Sequence, residues 1–462
     1  MALPLRIPLG FVALSVFAIG GAFSFFPLRK HAGLPYSATV VRTQASTKPF
    51  FVDIVESAAE EKNIDRKEKS MKTCIIAGAT GYIGNAVVAE CVKQGYNTIA
   101  LVRNVTRLTS EDGIEKYGDS FKGSTIIQAD VEDAEGLADL VAKIKEESGK
   151  PVECIISCLA SPVGTKREAY AIDYQATLNC LNAGRDERVK ANHFVLLSAF
   201  CVRRPLLQLQ QAKLKFEAEL RAQDDMTYSI VRPTAFFKSV SGQLEGIKQG
   251  NPYVLFGDGA VTRCNPIAEA ELAEFMVDCI TDESRHGQIM NIGGRDKPLT
   301  NKMLGEMMYK AIGQQPKFVY APTWIFDYVI NILQTIADCT GSEKWEDAAE
   351  TGRIGKYYAV EDMLTIDLSE KYGTIRMQDH YDKIAAEGQD KFTPIRATAY
   401  IARALEALPF AIGVPIAYAF SNSKIVEGVV GQSATHLDLS FIMASANNIL
   451  QVHSVTANTN II

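Results

Sequence analysis

No C-x-x-C pair occurs anywhere in this chain, although it holds nine cysteines. Their odd number and scattered spacing exclude a zinc framework or a complete disulfide scaffold. Buried reduced thiols in a reducing compartment are expected instead. A dense basic patch is missing too. With a net charge of -6, nucleic acid is excluded as an expected partner. There is no internal repeat, and no residue set for holding a metal is evident. What is present is the profile of a globular protein: 462 residues, 47% hydrophobic and 22% charged. That suffices for one large α/β domain with a lobe, or for two domains.

Acidic residues are also absent from Phe23 to Pro49, a stretch that holds Ser, Thr, Arg29, Lys30, Arg42 and Lys48. Such composition describes a transit peptide. Ahead of it, Arg6 supplies a positive start, Gly10 to Ala22 is uncharged and apolar, and Gly20, Gly21 and Ala22 precede Phe23. Residues 1–22 therefore read as a signal peptide. An uncleaved anchor from Ile7 to Pro27 is the alternative. A signal peptide followed by a transit peptide and linker over 23–70 resembles the bipartite leader that serves secondary plastids.

The strongest motif is Gly78-Ala79-Thr80-Gly81-Tyr82-Ile83-Gly84, set between the apolar run Cys74–Ala77 and a helical pattern through Val92. A glycine triplet between strand and helix binds a dinucleotide pyrophosphate. Gly78 serves the tight turn, Gly81 the approach to phosphate, and Gly84 close helix packing. Gly95 stops the helix and a second apolar run, Thr98–Val102, completes a βαβ unit. The G-x-x-G-x-x-G spacing belongs to short-chain dehydrogenase-type domains.

The second strand ends at Arg103 where an NAD site usually has an acid. A guanidinium fork matches a 2′-phosphate, so NADPH is the expected cofactor. Asp130, after the third strand, faces adenine or caps the helix from Ala134. Strands at 154–159, 193–198 and 228–231 alternate with helices. They predict a Rossmann-type doubly wound parallel sheet over 71–235 with a smaller C-terminal substrate lobe over 236–393, interleaved with the sheet. Ser157, Leu159, Ala160 and Ser198 lie at the carboxyl edge, where ligands sit. Residues 394–462 form an extension of unknown role, with an apolar stretch at 399–419.

In many reductases of this sheet type a Tyr four residues before a Lys supplies the proton. Here Lys213 and Glu217 are present, but the Tyr position is Leu209. Lys213 is expected to hold the nicotinamide ribose; Lys215 falls on another face. Without the phenol, reduction of a conjugated C=C is favoured over carbonyl reduction. A non-catalytic NADP binder is the competing class. A nucleotide-sugar epimerase is disfavoured, because such enzymes generally keep the Tyr.

Several longer blocks resemble the divinyl chlorophyllide 8-vinyl reductases, atypical short-chain dehydrogenases close to the NmrA-like group. They include 193–199, 212–220, 227–239, Pro252-Tyr253-Val254-Leu255-Phe256-Gly257-Asp258-Gly259 and Ile354-Gly355-Lys356-Tyr357-Tyr358-Ala359. The resemblance implies NADPH-dependent reduction of a vinyl group on a Mg-tetrapyrrole, in plastids. Mg would travel with the substrate. Phe236, Phe237 and Tyr253 would then stack on a flat macrocycle, and Lys238 or Arg232 would meet a propionate. Peripheral contact with a thylakoid or envelope membrane would suit a poorly soluble pigment. The NmrA-like alternative is an NADP sensor or assembly factor.

Overall fold

A computed structural model describes residues 41–42 and 71–389 of the chain. The leader and linker expectations (apart from the pair 41–42) and those for residues 394–462 lie outside the described residues. The main sheet has nine strands in the order β1-β4-β3-β2-β5-β6-β7-β10-β13. These are β1 (Val41–Arg42), β2 (Thr73–Ala77), β3 (Asn97–Val102), β4 (Thr125–Gln128), β5 (Val152–Ser157), β6 (His193–Leu197), β7 (Thr227–Pro233), β10 (Gln288–Gly294) and β13 (Lys371–Tyr372). Every pairing from β4 to β13 is parallel, and β1 joins β4 antiparallel. The order turns back at the β2–β5 seam, since the chain first builds outward to β4 and then restarts at β5. At such a switch point the loops diverge and leave a crevice.

Both faces of the sheet are covered, so its strands are continuous apolar runs. One face packs on helices α1 (Tyr82–Gln94) and α5 (Glu269–Asp278), through Val87, Val88, Leu272 and Met276. The other face packs on α2 (Ala134–Ser148), α3 (Thr177–Arg185) and α4 (Gln208–Ala222), through Leu137, Val141, Leu181 and Phe216. Eight of the nine cysteines are buried, and all nine are unbridged.

The helical segment between β5 and β6 includes a π-helix, Ala169–Ala176, before α3. Its wider turn sets Asp173 inward; such segments often mark functional sites. The lobe has its own core. A parallel pair, β8 (Tyr253–Phe256) and β12 (Phe318–Ala321), and a short antiparallel pair, β9 (Arg263–Cys264) and β11 (Leu299–Thr300), pack with α6 (Asn301–Ala311), α8 (Glu343–Val360) and α9 (Met377–Glu387). Helix α7 (Trp324–Thr340) lies along α8. Polar residues break the apolar spacing of α8, α9 and β13, so the sequence predicts the lobe without these elements.

Candidate cofactor and substrate cleft

The glycines of the β2–α1 turn are fixed by contacts as well as by conformation. Gly78 has φ of +76°, and a Cβ there would lie 2.7 Å from the Cys158 carbonyl oxygen. A Cβ on Gly84 would lie 2.1 Å from the Gly78 carbonyl oxygen. Gly81 is the N-cap of α1, without a side-chain cap, and the first turn carries no acid. The N–H groups of that turn and the positive end of the helix are thus directed at the crevice. Ala79 and Gly84 are buried supports behind the turn.

A cavity of about 320 Å³ runs from this turn across the sheet edge into the lobe. Such a size is that of a small-molecule site. Gly78, Thr80, Gly81, Tyr82, Ile83, Arg103, Leu159, Ala160, Ser198, Lys213 and Phe236 all line it. Arg103 is exposed at the end of β3 and faces the Glu168 carboxyl, which burial pushes above its usual value. Asp130 does not line the cavity. It is exposed and accepts from the Glu132 N–H at 3.0 Å, while the cap of α2 is Asp133, which accepts from Gly136 N–H at 3.1 Å. Ser157 is wholly buried behind the seam; its Oγ has no hydrogen-bond partner among the described residues.

Lys213 is 5% exposed, and its Nζ lies 2.9 Å from Asp173 Oδ1. It also donates to the Leu159 carbonyl at 3.4 Å, and Asp173 Oδ2 accepts from Ser161 N–H at 3.1 Å. The ammonium is therefore held at the floor of the crevice by groups from two segments, the π-helix and the loop after β5. Burying such a charge without this partner would cost several kcal/mol. Sequence reasoning named Lys213 and missed Asp173. The available signal was a single acid in the apolar run Ala169–Ala176.

One turn along α4, Glu217 accepts from Ser198 Oγ at 2.5 Å and pairs with Arg232. Arg232 is thereby committed and does not reach for a propionate. Two aromatic expectations are also corrected. Phe237, 1% exposed, packs on His380, and Tyr253, 4% exposed, lies edge-on to Phe318 at 6.0 Å. Neither lines the cavity: both fill the lobe core, where the irregular sequence pattern concealed real packing. Phe236 does line it, with its ring 6.2 Å from that of Tyr82. The Lys238 ammonium lies 5.1 Å over the Tyr82 ring. Burial and neighbouring Lys116 lower its pKa to about 7. Lobe residues that the sequence did not single out, among them Arg263, Tyr358 and Met363, close the cavity. Among the described residues no acid, His and Cys cluster could hold a metal ion, and no helix is long and apolar enough to cross a membrane.

Residues 78–283 match a family model described as NAD(P)H-binding. The glycine cradle, which a Cβ would fill, and the buried lysine beside it fit such a cofactor. The chain is 39% identical over 381 residues to divinyl chlorophyllide a 8-vinyl-reductase, chloroplastic, of Cucumis sativus, covering 79% of this chain and 88% of the relative. It is 43% identical over 328 residues to the protein of that name from Arabidopsis thaliana, covering 68% and 77%. Among solved structures it is similar, at 16% identity and a TM-score of 0.49, to AtPrR2 with NADP+ and (+)pinoresinol, covering 68% of this chain and 98% of that one. On the identity and coverage shared with those two plant proteins, the chain belongs to the divinyl chlorophyllide a 8-vinyl-reductase family.

Proposed function

We propose that this protein reduces the 8-vinyl group of divinyl chlorophyllide a to ethyl, with NADPH, in chlorophyll synthesis. The observation that carries the reading is its identity of 39% or more, over most of the chain, to relatives bearing that name. The cleft is consistent with it. When bound, the cofactor supplies the hydride that forms one new C–H bond of the ethyl group. The β2–α1 turn holds the pyrophosphate on backbone N–H groups, and Arg103 meets the 2′-phosphate. Lys213, fixed by Asp173, orients the ribose. Tyr82 and Phe236 flank the lobe side with aromatic faces for a planar macrocycle. Lys238 does not line the cavity, but its ammonium lies over the Tyr82 ring, and that nearness supports a role in meeting a carboxylate there.

A plastid location follows from the same kinship. Entry through a bipartite leader into a secondary plastid is the finer part of this proposal, and the acid-poor stretch 23–49 supports it. Contact with a plastid membrane is likewise proposed, from the solubility of the pigment.

The test is optical. Purified protein with divinyl chlorophyllide and NADPH should move the Soret band to that of the monovinyl pigment. A protein that binds NADPH and leaves the band unmoved would be a sensor or assembly factor, and the proposal would fall.

A further inference from the structure

The sheet half of the cleft offers no phenol at the position that usually supplies one. Leu209 is 2% exposed and lies under helix α8. A Cβ built on Gly164 would lie 2.7 Å from Leu209 Cδ2 and 3.0 Å from Ile354 Cδ1, so these three residues converge at one point. One helical turn after Ile354, on the same face of α8, stands Tyr358. It lines the cavity together with Lys213, Ser198 and Cys201. The adjacent Tyr357 donates to the Cys201 carbonyl at 2.9 Å and fastens this turn of α8 to the segment after β6. The two tyrosine rings meet edge-on at 5.7 Å.

Three other hydroxyls of the cavity are held by oxygen acceptors. Tyr82 donates to Glu269 at 2.7 Å, Ser198 to Glu217 at 2.5 Å, and Thr234 to the Asn265 carbonyl at 2.8 Å. Tyr358 lies beside the Cys201 thiol and has no carboxylate or carbonyl acceptor of that kind among the described residues.

Resting on the vinyl-reductase reading, we propose that Tyr358 is the proton donor of the reaction, a phenol delivered from the lobe to replace the one missing at Leu209. Hydride addition forms the first C–H bond at one vinyl carbon and displaces the π pair toward the other. That pair takes the Tyr358 proton: the O–H bond breaks and the second C–H bond forms. The phenolate recovers its proton from water. Burial and the facing titratable groups, Cys201 and Tyr357, hold the phenol well above its ordinary pKa, so it stays loaded at neutral pH.

The experiment compares full-length wild type, Tyr358→Phe and protein with 3-fluorotyrosine at 358. Tyr358→Phe should keep NADPH affinity and pigment affinity and lose about 10²- to 10⁴-fold in reduction rate, the range of general acid catalysis. The fluorine resonance of the fluorotyrosine protein should shift when divinyl chlorophyllide is added without cofactor. An unchanged rate in Tyr358→Phe or an unmoved resonance each overturns the assignment. Should Tyr358→Phe fail to bind NADPH, the fluorine resonance decides alone. Failure of the vinyl-reductase reading shows separately, as wild type that leaves the Soret band unmoved; the assignment then falls with it.

Discussion

The half of the cleft built from the sheet and the half built from the lobe are made in opposite ways. On the sheet side, the glycine turn is largely local, with one remote contact, Gly78 against the Cys158 carbonyl. Gly78, Gly81 and Gly84 act within one turn, and the clash at Gly84 is with Gly78 itself. On the lobe side, contacts are remote: Gly164 and Leu209 meet Ile354, and Cys201 meets Tyr357 and Tyr358. The difference teaches that cofactor binding is written in short motifs, while the groove for the second substrate is written in tertiary packing.

Gly84→Ala should strike that contrast hardest. Its added methyl cannot coexist with the Gly78 carbonyl, so NADPH affinity should vanish and stability should fall by more than about 4 kcal/mol, measured by nucleotide titration and denaturant unfolding. If the variant bound NADPH normally, the local account of the sheet half would be wrong. Asp173→Asn comes next. It leaves the Lys213 ammonium buried without its counter-ion, and the expected loss is about 3–5 kcal/mol by denaturant midpoint. Replacing both residues together, as Asp173→Asn with Lys213→Met, should recover part of it.

Arg103→Ala is smaller and selective. Losing charge-assisted bonds of about 1.5–3 kcal/mol should weaken NADPH binding and leave NADH binding nearly unchanged; equal losses would refute a phosphate clamp. The smallest effect belongs to the lobe. Lys238 carries its charge below its pKa of about 7 and loses it above. Catalytic efficiency with the pigment should therefore fall about two- to five-fold as pH rises through that value, with no matching change in NADPH affinity. Lys238→Met should remove that step from the profile.

The same contrast explains what was legible beforehand. The doubly wound parallel sheet and the glycine turn follow from alternating apolar runs and breaker residues, and the sequence pattern found them. Lys213 was recognisable by its spacing from Leu209 and Glu217. Asp173 was not, because its partner lies 40 positions away and a π-helix turns it inward. Phe237 and Tyr253 were assigned to the pigment on aromatic character alone. Character does not say which side of a loop faces a cavity, and both went to the lobe core. Tyr358 stood in a quoted block, yet only the packing of α8 on α4 brings it to the cleft.

One further consequence belongs to β10. The chain leaves the sheet after Pro233, returns at Gln288 to pair with β7 over five residues, and touches it again at Lys371. The pigment-side segments are thus slung between strands, like panels hung on a shared frame. No single cut would release two self-sufficient pieces, and the lobe cannot be traded as a module. New substrate preferences in such an architecture are reached by rewriting the hung segments in place, while the outer strands keep the frame closed.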